Sequence, residues 1–202
     1  MKKLLFLLVI VMTCFQAMAK YSPTPLAELV DESDLIFHGV IVSVQEKSIT
    51  VKPLNVVKGA RPEATITLDK FEDWTCASRF TSYKVGQQEF LFLRKSKTTG
   101  VYFPLGSGNE GEIPVLNQKV YYRNPNPNDT KDLHTFSVYG GTVLGHVYSY
   151  NGFVDAIKFY MANRAAMTAA ITSDKLRGEL AQSPALRRIY TELHYYRPNR
   201  LY

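Results

Sequence analysis

Between residues 35 and 94, apolar side chains recur at every second position over several short runs, the spacing of β-strands that turn one face to a core. In Leu35-Ile-Phe-His-Gly-Val-Ile-Val-Ser-Val44 the cleanest such set is Leu35, Phe37, Val40, Val42 and Val44. The step from 37 to 40 is one residue too long. Holding all five inside therefore requires an extra residue at His38–Gly39, a β-bulge, where glycine has no Cβ to obstruct the kink. The next run, Ser48 to Gly59, carries Ile49 and Val51 in one phase and Leu54 and Val56 in the other, with Pro53 at the slip. A proline cannot donate to a ladder and belongs at a bulge or an edge. Two long bent strands joined at Lys47–Ser48 suit a tightly coiled barrel better than a flat hairpin.

Further strands are expected at Ala64, Ile66 and Leu68, at Glu89–Arg94, at Val101–Leu105, at Glu112–Val115 and at Lys119–Arg123, with an extended segment from Thr135 to Tyr150 interrupted by Gly140, Gly141 and Gly145. Glu89–Arg94 is apolar throughout its middle, as a strand covered on both faces would be. Ahead of these, Thr24 reads as an N-cap and Pro25 as the first position of a short helix whose Leu26, Leu29 and Val30 share a face fit to plug or cover a barrel end. After them, Asn151–Gly152 opens a helix from Phe153 to about Ile171, with Phe153, Ile157, Tyr160 or Met161, and Ala165 on one stripe. Ser183 caps a last helix that begins with Pro184 and aligns Leu186, Ile189 and Leu193. The fold class is mainly β with a helical appendage: a helical lead-in over 20–34, a barrel of five to six strands with long loops over 35–150, helices over 151–194, and a basic, aromatic tail over 195–202.

The first residues change the setting. Lys2 and Lys3 precede an apolar run from Leu4 to Val11, too short to span a bilayer, and Ala17-Met-Ala19 supplies the small residues of a signal-peptidase site. Residues 1–19 read as a signal peptide cleaved after Ala19, placing the protein in the periplasm or outside the cell. The rival acylation site at Cys14 is poorly served by the Met12-Thr13 that precedes it. No other segment has transmembrane length. Loss of Lys2 and Lys3 lowers the net charge from +6 to +4, compatible with anionic surfaces and equally with plain solubility. Cys76 is then the one cysteine of the mature chain, expected as a buried free thiol, since free cysteines are among the most buried residues.

The candidate chemistry is sparse. Lys70 to Gln88 has no strand period and carries Phe71, Trp74, Phe80 and Tyr83 among Asp73, Arg79 and Lys84. Long aromatic loops are where partners bind, and Phe71, Trp74, Arg79, Phe80 and Tyr83 are the binding candidates; the competing reading has the same aromatics capping the barrel end. Gly106-Ser-Gly-Asn-Glu-Gly111 matches G-x-G-x-x-G, but a dinucleotide site needs a helix opening at the last glycine, and Glu112-Ile-Pro-Val115 is strand-like, so the run reads as a connection between strands. Arg187, Arg188 and Arg197 mark a basic surface near the C-terminus, which reads as a solvated end; export leaves nucleic acid an unexpected partner. Asn128-Asp-Thr130 is a glycosylation sequon of little weight. The histidines, His38, His134, His146 and His194, are scattered singly, and neither metal ligands nor a cofactor site is expected.

Ser33-Asp-Leu-Ile-Phe-His-Gly-Val-Ile-Val-Ser-Val44, Val56-Val-Lys-Gly59 and Val85-Gly-Gln-Gln-Glu-Phe-Leu-Phe-Leu93 together resemble the netrin-like domain shared with tissue inhibitors of metalloproteinases, particularly its exported bacterial relatives. The resemblance covers about residues 26 to 115 and rests on an S-D-x-I/V-x-x-G-x-V first strand, V-x-K-G closing the second, and V-G-x-x-x-x-x-F/L entering the fourth. It implies an oligonucleotide/oligosaccharide-binding (OB) type of barrel that serves protein or matrix contacts rather than catalysis. Inhibitory members present an N-terminal, disulfide-anchored cysteine to a zinc; here the mature terminus is Lys20 and Cys76 lacks a partner, so only the scaffold carries over. The expected function is an exported, non-enzymatic module holding a protein or an envelope glycan. The alternative is a thiol-dependent or hydrolytic exported enzyme built on Cys76 and a distant histidine, and Cys76→Ser separates the two. Ligand identity and oligomeric state are not encoded in any motif.

Overall fold

The period-two segments pair as strands in a computed structural model that describes residues 23–62, 64–123, 133–169 and 173–195. The elements run α1 (Leu26–Glu32), β1 (Leu35–Val44), β2 (Ser48–Lys58), β3 (Ile66–Asp69), β4 (Gln88–Lys95), β5 (Tyr102–Pro104), β6 (Glu112–Leu116), β7 (Lys119–Arg123), β8 (His134–Val138), β9 (Gly141–Ser149), α2 (Tyr150–Ala162), α3 (Arg164–Thr168), α4 (Asp174–Gln182) and α5 (Pro184–Tyr195). Strands run in the order β1-β2-β3-β5-β4, and β4 returns to β1, closing a five-stranded barrel of OB-like form. Only β3 and β5 pair parallel within that ring, through Leu68 and Tyr102. β4 divides its second edge: Leu93–Lys95 pairs with β5, while Gln88–Leu91 pairs with β6 and starts an extension through β7, β9 and β8.

Alternation gives the barrel wall two apolar faces. Leu35, Phe37, Ile41, Ile49, Val51, Leu68, Leu91 and Leu93 fill the interior. On the opposite face, Ile36, Phe90, Phe92, Ile113, Val115 and Val120 pack under the helices, so β4 is covered on both sides as its composition implies.

The first strand departs from expectation. Ile41, not Val42, is interior, and Val42 is 41% exposed. The ladder does slip beside Gly39, between His38↔Asn55 and Gly39↔Pro53, but the extra residue is Leu54 on β2; β1 slips only later, at Val42, between Ile41↔Val51 and Ser43↔Thr50. The reason is steric. Gly39 itself occupies an interior slot, where a Cβ would lie 2.7 Å from Phe37 Cε2 and 2.7 Å from Val51 Cγ1. A core position filled by a residue without a side chain leaves no mark in a hydrophobic pattern, so the pattern reads out of phase across it. Pro53 stays in the interior phase of Ile49 and Val51, and the slip falls one residue later.

α1 begins at Leu26 with Pro25, not Thr24, at the N-cap. Its buried face joins the helical cluster on the outside of the wall and does not plug the barrel. Its ends are satisfied from afar: Leu26 N donates to Glu192 Oε2 of α5 at 2.6 Å, and Lys58 Nζ donates to the carbonyls of Val30 and Asp31 at 2.7 and 3.1 Å. Gly59, which follows, has φ +87 and sits where a Cβ would meet Asp34 O at 2.4 Å. The V-x-K-G motif thus caps α1 and clears space for the chain entering β1.

The expected single helix from Phe153 breaks at Asn163 (φ −123, ψ 25) into α2 and α3, and α2 opens at Tyr150, capped by Ser149. α4 was not anticipated; Leu176 is its one buried residue, too little for an amphipathic stripe, although Ser173 caps it. α5 starts after Ser183, with Leu186, Ile189 and Leu193 buried together, as read. The expected signal peptide and cleavage site, the sequon, and the tail beyond Tyr195 lie outside the described residues. No helix among the described residues is long and apolar enough to cross a membrane.

Candidate functional site

The end of β3 and the start of β4 lie at one end of the barrel, together with the β1–β2 turn, and the connection over residues 70–87 closes that end. Lys70 N bonds Lys47 O at 3.0 Å, and Gly86 N bonds Ile41 O at 2.9 Å, so both limbs of the loop are tied to the first hairpin. Alternation then decides what lies beneath. Glu89 is in phase with interior Leu91 and Leu93, and Glu112 faces away from Ile113 and the helices. Two carboxylates on neighbouring strands therefore point under the loop.

Arg79 comes down from the loop to meet them. Its Nη2 donates to Glu89 Oε1, its Nε to Glu112 Oε2 at 2.9 Å and its Nη1 to Thr81 O at 2.6 Å. The guanidinium carbon lies 3.8 Å from the Tyr83 ring centroid and 4.5 Å from that of Phe80. Tyr83 packs on the interior cluster, donates its hydroxyl to Glu112 Oε1 at 2.7 Å and accepts from Phe71 N at 2.8 Å. Asn109 Nδ2 also donates to Glu112. Arg79 N bonds Asp73 Oδ1 at 2.8 Å, and Gln87 ties Lys84 N and Ser82 O together at 3.1 and 3.0 Å.

Arg79, Glu89 and Glu112 are 8%, 1% and 2% exposed. Burial is the main force on Glu89, and with Glu112 it outweighs Arg79 and pushes the carboxyl up from 4.5 to about 7. Burial and Glu112 likewise push the Tyr83 hydroxyl upward, so it remains a donor. Glu89 Oε2 has no hydrogen-bond partner among the described residues. A cavity of about 20 Å³, room for one water, lies beside Glu112 between Phe80, Tyr121, Arg123 and Val143. A carboxyl near neutrality can move protons, but this one is sealed under Arg79 and Tyr83, where no substrate reaches it in this form.

The structure gathers four of the five loop candidates, Phe71, Arg79, Phe80 and Tyr83, into or against this plug. Trp74 faces outward, 45% exposed, with its indole N donating to Ser107 O at 2.5 Å. Ser107 belongs to the glycine-rich run, which joins β5 to β6 and opens no helix. Glu89, Glu112, Gln87 and Asn109 were missed. The available signal was an acidic residue in phase with the interior leucines of β4, whereas their meeting with Arg79 is invisible in one dimension.

Cys76 is exposed, contrary to expectation. Trp74 N to Ala77 O at 2.9 Å and Ala77 N to Trp74 O at 3.0 Å close a tight turn, which puts Cys76 at its tip. His38 Nε2 is 3.2 Å from Gln88 Oε1, and His194 Nε2 is 2.9 Å from Met167 O. Among the described residues no group of His, Cys, Asp or Glu is arranged to hold a metal ion. Of the three arginines read as a basic surface, Arg187 is exposed and bonds the carbonyls of Leu180 and Ala181, Arg188 is buried with its Nε 2.7 Å from Glu192 Oε1, and Arg197 lies outside the described residues.

No protein-family model matches the chain, and no curated protein matches it. Among solved structures, one assigned as an exosome complex RNA-binding protein aligns at 16% identity over 82% of this chain and 97% of that one, with a TM-score of 0.28. A likeness at that level carries no argument about what this chain binds.

Proposed function

We propose that the protein is an exported, non-enzymatic interaction module of the netrin-like kind, holding an exported or envelope protein or glycan on the outer surface of the 70–87 loop. The observation behind this reading is that the loop is anchored from below by a buried ion cluster while it presents a 45% exposed tryptophan above. A loop whose ordering cost is met within the fold binds without losing that entropy again, and tryptophan is the residue type that most often anchors a contact. Support for the compartment comes from the Lys2–Lys3 start, the apolar run and Ala17-x-Ala19; support for the netrin-like assignment comes from the three strand motifs and the OB-like closure.

The test compares immobilised full chain with Trp74→Ala against the exported fraction of the producing cells. A partner retained by the parent should bind the variant more weakly by about 2 kcal/mol or more, with the melting temperature nearly unchanged. Equal retention by both rejects this surface, and an intact mass that retains residues 1–19 rejects export with cleavage. The enzyme reading on Cys76 places the thiol at an exposed turn tip, while the ring nitrogens of His38 and His194 engage Gln88 Oε1 and Met167 O.

A further inference from the structure

We infer that the 70–87 loop is a proton-controlled lid, closed while the Arg79–Glu89–Glu112 cluster holds a proton on one carboxyl and loosened when that proton leaves. The charge count comes first. Two carboxylates share one guanidinium, and the ion pairs to both, among the described residues, run to Arg79. With both carboxylates ionised the cluster carries a net negative charge out of contact with water, and with one protonated it is neutral.

The second observation is the oxygen left over. Arg79 occupies Glu89 Oε1, while Oε2 is buried with no partner. An unpaired neutral hydroxyl in such a place costs far less than an unpaired anionic oxygen, so the proton belongs on Glu89. Other cations stand near the cluster without pairing with its carboxylates: Arg123 lines the cavity beside Glu112 but donates to Ser78 O and Gly108 O, and Lys70 Nζ lies over the Tyr83 ring at 5.6 Å. The loop contributes Arg79 and Tyr83, β6 contributes Glu112 and, directly across from Glu89, Pro114, and β1 contributes Gly39. The β8–β9 turn contributes Tyr139, a neutral donor to Val115 O at 2.7 Å. Burial raises the Glu89 carboxyl to about 7. Loss of the proton sets Glu89 against Glu112 directly beneath Arg79, the residue that holds the loop down. The lid shares its anchor, the ion pairs of Arg79, with the proposed function, and the two are read separately: binding by Trp74→Ala, proton control by Glu89→Gln.

Trp74 makes the lid observable, because it is the single tryptophan of the chain and bonds across to Ser107. Its emission is followed in the full chain from about pH 5 to about pH 9, with far-UV circular dichroism confirming an unchanged fold. The parent should show one reversible transition with a midpoint near 7. Glu89→Gln, which keeps the shape and cannot ionise, should be flat. Glu112→Gln should move the midpoint down by roughly one pH unit or more, by removing the opposing charge. Trypsin cleavage after Arg79, normalised to an unstructured peptide, should be about ten-fold faster at the alkaline end in the parent and pH-independent in Glu89→Gln. A flat parent, or a transition that persists unchanged in Glu89→Gln, overturns the inference. If Glu89→Gln fails to fold, the Glu112→Gln midpoint decides, and an unmoved midpoint overturns it.

Discussion

Replacing Arg79 by methionine keeps most of the side-chain volume at the barrel end and removes the one cation that Glu89 and Glu112 share. Stripping the partner from a buried ion pair costs about 3–5 kcal/mol, because a charge is left in a medium that cannot solvate it. Loss of the guanidinium from between Tyr83 and Phe80, at 3.8 and 4.5 Å, adds about 1 kcal/mol. The sum, roughly 4–6 kcal/mol, is a large part of a domain stability of about 5–15 kcal/mol. The expected loss depends on pH in a defined direction. Near pH 5 the Glu89 carboxyl, which burial already holds toward its neutral form, is protonated at small cost, and the penalty should shrink toward about 2 kcal/mol; near pH 8 it should be full. Urea unfolding at the two pH values measures it, with the midpoint falling by about 2 M at the higher pH and less than half of that at the lower. An equal midpoint change at both, or a loss under about 1 kcal/mol at pH 8, would show that the cluster does not carry the barrel end.

The Glu89 carboxyl, held at about 7 instead of 4.5, contributes stability that is full below 4.5, declines as pH rises and is gone above 7. Glu89→Gln should therefore match the parent in acid and exceed it by roughly 3 kcal/mol above neutrality, and comparing the two proteins cancels the opposing titration of His38, whose ring burial holds below its ordinary value. Val42→Asp should change the urea midpoint by less than the equivalent of about 1 kcal/mol, since Val42 is 41% exposed, whereas Ile41→Asp should abolish folding. Gly39→Ala should lose about 1–3 kcal/mol by overpacking Phe37 and Val51, read in the same assay. Glu192→Ala should cost about 3–5 kcal/mol by thermal melting, because it strips the partner from buried Arg188 and from Tyr122 and Leu26 N.

Strand β4 and helix α5 were legible to within a residue or two, and both carry strong local signals: an unbroken apolar run in one, a Ser-Pro start with a heptad-like stripe in the other. β1 was legible as a strand but not in phase, because Gly39 hid a core position. Of the site, the loop and its residue types could be read, since length and aromatic content are local properties. The division of labour inside it could not. Trp74 and Arg79 are five positions apart and look alike as candidates, yet one is on the surface and the other closes the barrel.

What the sequence determined by itself is therefore the set of elements that local pattern encodes: period-two strands, capped helices and a glycine-rich connection without a helix behind it. What only the tertiary structure decided is everything that depends on two distant segments sharing a medium of low dielectric. Glu89 and Glu112 are ordinary acidic residues in the chain; ring closure of β4 on β1 and pairing of β4 with β6 bury both under one arginine. Their protonation, the anchoring of the loop and the exposure of Trp74 follow from that burial, because the free energy of a charge is set by what surrounds it and not by its neighbours along the chain.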